Sequence, residues 1–139
     1  MSESLEGLHE SLSNIRDSLN HWKRKRQAYL DKAEEIRKVY DRLKKDKDTI
    51  QGYKKTVRSY SGKQFTDFKG SNCEYRYKPE IENLLNSYDT VIRNIDINLD
   101  RLNDEILRQK NLASDCLGPI GSLGKAFHTV QTKIENWAN

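Results

Sequence analysis

LEGLHESLSNIRDSLNHWKRKRQAYLDKAEEIRKVYDRLKKDKDTI, residues 5–50, decides the fold. Taken in alternating steps of three and four, it yields Leu5, Leu8, Leu12, Ile15, Leu19, Trp22, Arg26, Tyr29, Ala33, Ile36, Tyr40, Leu43, Lys47 and Ile50. All but Arg26 and Lys47 are apolar, where a composition that is 35% hydrophobic gives about five by chance. Charged residues crowd the positions between. Such spacing puts one apolar seam along one face of an α-helix. Tyr53, Val57 and Tyr60 are read as carrying the spacing on after a one-residue shift, so the helix is expected from about 4 to 60.

A second series runs Ile81, Leu85, Tyr88, Ile92, Ile95, Leu99, Leu102, Ile106, Gln109, Ala113, Cys116, Ile120, Leu123, Phe127, Val130, Ile134, Trp137. Pro79 precedes it, where a helix start tolerates a missing N–H. Gly118-Pro119 falls inside the series without disturbing its phase. A proline in a helix interior removes a hydrogen bond and clashes with the turn before it. The expectation is therefore a helix over about 79–116, a kink near Gly118-Pro119, and a last helix over about 120–138. Residues 61–78 hold Gly62, Gly70, Ser71 and Asn72 and read as a loop.

Two seams of similar length joined at mid-chain predict one all-α domain over 1–139, a long antiparallel helical hairpin. Residue i is then expected near residue 138 − i, within a few positions. Charge agrees with that pairing. Residues 23–58 hold 14 Lys/Arg and 6 Asp/Glu; residues 80–105 hold 7 Asp/Glu and 2 Arg. The basic run His21-Trp22-Lys23-Arg24-Lys25-Arg26 is accordingly read as a solvated face beside an acidic partner helix.

A two-helix hairpin leaves apolar residues uncovered. Val39, Leu84, Val91, Ile97, Leu107 and Leu112 lie off the seams and widen the apolar surface, chiefly on the second helix. Leu84, Val91, Leu107 and Leu112 are the expected partner contacts. A bundle completed by another protein or by a second copy would cover them.

The composition excludes much else. There is no run of about 20 apolar residues to cross a membrane. Residues 1–10 carry no basic cluster of the kind that opens a signal peptide, so the cytoplasm is the expected place of synthesis. Cys73 and Cys116 are too few for a disulfide scaffold. His9, His21 and His128 have no metal-ligand spacing, and no phosphate loop or nucleophile–base grouping occurs. No catalytic residue, cofactor or metal is expected, and a hairpin offers no deep pocket; the chain is read as non-enzymatic. The basic first helix and a pI near 9.0 raise nucleic-acid binding by a homodimeric coiled coil as an alternative, with a self-associating structural hairpin as another. Acids interleaved at Asp31, Glu34, Glu35, Asp41, Asp46 and Asp48, and a net charge of +4, argue against nucleic acid.

The loop carries a resemblance. Phe65-Thr66-Asp67-Phe68-Lys69-Gly70-Ser71-Asn72-Cys73 resembles a degenerate Trp-x-Gly turn, with Phe68 in place of the Trp and Gly70 as the Gly. That turn joins the helices of WXG-like small proteins of Gram-positive type VII secretion. The Lys-Gly-Ser-Asn wording and the long first helix are most similar to the YwqH-like family associated with LXG toxins. The resemblance implies a helical adaptor or chaperone that docks on the helical N-terminal region of an LXG polymorphic toxin, with a second small helical protein as a further partner. It also implies export by a signal-peptide-independent route. Phe68, Lys69 and Gly70 would shape the tip. The Tyr-x-x-x-Asp/Glu tail of type VII substrates is absent, so the export signal would lie on a partner or in the complex.

Overall fold

A computed structural model describes residues 4–62 and 78–137, with the side chains of 61 and 62 left aside. The described chain forms α1 (Leu5–Gly62), α2 (Lys78–Asp115) and α3 (Leu117–Glu135), with no strand among the described residues. The helices pack as a hairpin whose second arm, α2 with α3, is slightly bent. The turn motif Phe68, Lys69 and Gly70 lies outside the described residues.

Ser4 caps α1: its Oγ accepts the Gly7 N–H at 2.9 Å, satisfying a donor that has no partner within the helix. The bend in the second arm is slight and centres on Cys116, within a few residues of Gly118-Pro119. Cys116 alone separates α2 from α3 and keeps helical angles, φ −69° and ψ −19°. Its N–H bonds to Ala113 O at 3.2 Å, three residues back. Pro119 is therefore the third residue of α3, a position whose N–H has no partner within that helix. This is why the phase survives the proline.

The chain divides into two compact units, one of residues 4–35 with 105–137 and one of residues 36–104. In the first unit the core is Leu8, Ala33, Ile106, Ala113 and Cys116, joined by one buried polar residue, Gln109. In the second unit Ile95 and Leu99 are buried, and the remaining seam residues are half-buried. Every one of these lies on the predicted seams. Burying a Leu or Ile side chain stabilises by about 1.5–3 kcal/mol, so a core one side chain thick rests on the summed length of its seam.

The seam of α1 holds its step further than expected. Tyr53 and Tyr60 are exposed, while Lys54 and Val57 are half-buried. There is no shift after Ile50: the next four-step position is Lys54. Its aliphatic stem fills the seam while the ammonium reaches out to Asp89.

Arg26 occupies the equivalent place in the first unit, and its Nε is buried with no hydrogen-bond partner. A buried donor left unmade costs about 1–3 kcal/mol. Arg26→Met keeps an unbranched stem out to about the level of Nε and removes that donor. It is expected to raise stability by about 1–2 kcal/mol, read as a higher midpoint in urea with an unchanged m-value.

Candidate docking face

The register is fixed by two ion pairs in the second unit. Lys47 Nζ lies 2.6 Å from Asp96 Oδ1, and Lys54 pairs with Asp89. Moving forward on α1 moves back by the same number on α2, as antiparallel pairing requires. The facing residue lies a few positions beyond the expected one. Carried along the unit, this register sets Leu43 against Leu99 and Ile50 against Ile92.

The same pairs assign the two sides of the hairpin. Asp89 and Asp96 each follow a seam residue, Tyr88 and Ile95. They lie on one flank of α2, toward which Lys47 and Lys54 reach. The residue just before a four-step seam position lies on the opposite flank. The apolar residues at those positions are Val39, Tyr53 and Tyr60 on α1 and Leu84 and Val91 on α2; Asp46 and Asn98 hold the other two. All five apolar residues are exposed, Tyr53 by 58% and Val91 by 43%. In an antiparallel pair these flanks adjoin, so the apolar residues share one side of the unit. Ile97 is the only exposed large hydrophobic residue described in this unit that falls elsewhere.

This side also lacks charge. Between Asp46 and the end of α1 its outward positions are Thr49, Tyr53, Thr56 and Tyr60. Between Glu80 and Arg101 on α2 they are Leu84, Ser87, Val91, Asn94 and Asn98. In a chain whose residues are 33% charged, nine consecutive exposed positions without charge mark a surface built to lose water. The hydroxyls fit that reading. Thr49 donates to Lys45 O at 3.1 Å, Thr56 to Gly52 O at 3.1 Å and Ser87 to Asn83 O at 3.0 Å. Covering them leaves none of these donors unmade.

The four expected partner contacts separate. Leu84 and Val91 lie on this face. Leu107 is 51% exposed but lies in the first unit on the other flank. Leu112, expected at the surface, is half-buried. Alanines in the first unit's seam, Ala33 and Ala113, are buried and let its helices approach closely. Tyr53 and Tyr60, seam residues by sequence spacing, belong to the face; only the ion-pair register reveals their side.

No family model, curated protein or solved structure matches the chain. Its function is therefore read from geometry. Among the described residues no group of His, Cys, Asp or Glu could hold a metal ion, and no helix is long and apolar enough to cross a membrane. An open depression bounded by Asn20, Lys23, Arg24 and Gln27 lies along α1 alone. Arg24 Nε there donates to Asn20 O at 3.3 Å, and Lys25 stands 5.0 Å over the Trp22 ring. In the first unit Arg16 sits over Phe127, which gives nearly the same register. That register sets Lys23–Arg26 beside the segment from Cys116 to Gly121, which contains no acid. The acidic partner expected for this run lies against the later part of α1 instead.

Charge does hold the pairing in place. Glu105 accepts from Arg108 at 2.9–3.1 Å and from Gln109 at 2.9 Å, and Arg108 foremost lowers its pKa to about 2. A carboxylate lowered on folding stabilises above its unfolded pKa, and that stability is lost as pH falls from about 4.5 toward 2. Lys47 is raised, chiefly by its hydrogen bond to Asp96. Its contribution is present below its ordinary pKa of 10.5 and is lost as pH rises through the folded value. Glu105→Gln is expected to flatten the acid limb of the stability–pH curve, and Lys47→Met the alkaline limb. Urea titrations across pH check both.

Proposed function

We propose that the chain is a non-enzymatic helical adaptor whose uncharged side accepts helices of another protein. The observation that carries this is the side formed by Tyr53, Tyr60, Leu84 and Val91, exposed and free of charge, with the Thr56 and Ser87 hydroxyls beside them bonded within their own helices. Apolar helix faces are covered by other apolar helix faces, and the gain is hydrophobic burial. The resemblance of the Phe68-Lys69-Gly70 turn supplies the partner in this reading: the helical N-terminal region of an LXG toxin, stabilised here for type VII export. Co-expression with the helical N-terminal region of an LXG toxin is expected to give a complex that survives high salt, because apolar burial is not screened. Failure of the two to co-purify would remove the reading.

A second reading keeps one observation of its own. Lys23, Arg24 and Lys25 are exposed and face no acid across the hairpin. Binding of nucleic acid through this part of α1 would appear as a gel shift that weakens steeply with salt and disappears in the Lys23→Glu/Arg24→Glu/Lys25→Glu variant.

A further inference from the structure

The uncharged side is bounded on α2 by two charges of opposite sign. Glu80 lies 11 residues before Val91 and Arg101 lies 10 residues after it, and both are exposed at outward positions of the same side. Between them no charge intervenes. We propose that a second copy of this chain covers this side when no other helix does, stacked antiparallel with Val91 next to the two-fold axis. The inference concerns the same face as the functional reading above and adds its occupant.

The charges select this arrangement. An axis across the helices at Val91 lays α2 of one copy on α2 of the other, running in opposite directions. Arg101 of each copy then meets Glu80 of its partner, twice by symmetry. The alternative, with the two hairpins running the same way, brings α1 of one copy over α2 of the other. Arg42 and Arg101 stand at nearly the same level of the hairpin, so like charges would meet at that end. An isologous interface must be self-complementary, and only the antiparallel stacking is. The face also presents, to itself, a surface as uncharged as its own.

Its size is sufficient and small. From Glu80 to Arg101 the helix runs about 32 Å, and two helices are about 20 Å wide. About 600 Å² per copy is covered, about 1,200 Å² in all, at the lower end of specific interfaces. The dimer is therefore expected to dissociate on dilution, which leaves the face available to a competing helix.

Sedimentation velocity over a concentration series tests it. The wild-type chain is expected to sediment as a dimer at about 100 µM and as a monomer on dilution, in keeping with a small interface. Glu80→Arg and Arg101→Glu, each alone, place like charges together and are expected to shift the midpoint at least tenfold. The double variant Glu80→Arg/Arg101→Glu restores it. In a Cys73→Ser background, Val91→Cys is expected to cross-link through a short bismaleimide, whereas Ile97→Cys is not; circular dichroism of each variant establishes that it is folded. A chain monomeric at every concentration, a double variant no better than the singles, or equal cross-linking at Ile97 would each overturn the proposal. The charge variants keep Leu84 and Val91. If the toxin is captured while no dimer forms, this inference falls alone. If the dimer forms while no toxin is captured, the adaptor reading falls alone.

Discussion

Ile106→Ala is expected to lower stability by about 3 kcal/mol and the thermal midpoint by roughly 10 °C, whereas Leu107→Ala, one residue on, is expected to stay within about 0.5 kcal/mol. Ile106 is 2% exposed and Leu107 is 51% exposed. Removing buried methylenes loses their transfer free energy and leaves a cavity whose cost depends on how far the surroundings collapse. Here the core is one side chain thick and its walls are two long helices. Closing the gap would bend a helix away from contacts on both sides of it. Thermal unfolding followed at the helical circular dichroism band distinguishes the two variants. Equal losses would show that the seam has been put on the wrong face.

The second large effect lies at the surface. Leu84→Asp and Val91→Asp are expected to leave the helical signal and thermal midpoint of the isolated chain within about 2 °C, since neither side chain is in the core. Capture of the helical partner is expected to fall by about 100-fold or more, because a charge at the centre of a dry interface is desolvated without a counter-ion. Leu107→Asp, on the other flank, is the matched control and is expected to have little effect on capture. Titration of the immobilised chain with the helical region of the proposed toxin partner reads all three. A loss at Leu107 equal to that at Leu84 would move the docking surface to a different side.

Much of this architecture is legible in the chain itself. Leu8, Ala33, Ile95, Leu99, Ile106, Ala113 and Cys116 are all buried, and all lie at predicted seam positions. Apolar spacing finds them because helix geometry is periodic and burial follows that period. It fails at Lys54, where Tyr53 looks the better seam residue by type. A lysine can fill a seam with its stem when an aspartate receives its head, and the spacing of one helix cannot show that aspartate. The spacing carries through Pro119, because a single helical residue, Cys116, suffices to restart the ladder. The docking side is hidden for a related reason. Its rows lie on two helices remote in sequence, and they become one surface only once Lys47–Asp96 and Lys54–Asp89 fix which flanks adjoin. The resemblance at Phe68-Lys69-Gly70 speaks to the partner, and it lies outside the described residues.

Cys116 sits where α2 passes into α3, with its Sγ donating to Leu112 O at 3.4 Å and 2% of its surface exposed. A thiol so placed is closed to bulky maleimides while the two arms are together. It reacts only in the interval when they part. The rate at which a Cys73→Ser chain takes up label at this sulfur is therefore a clock for the opening of that arm, where α2 passes into α3.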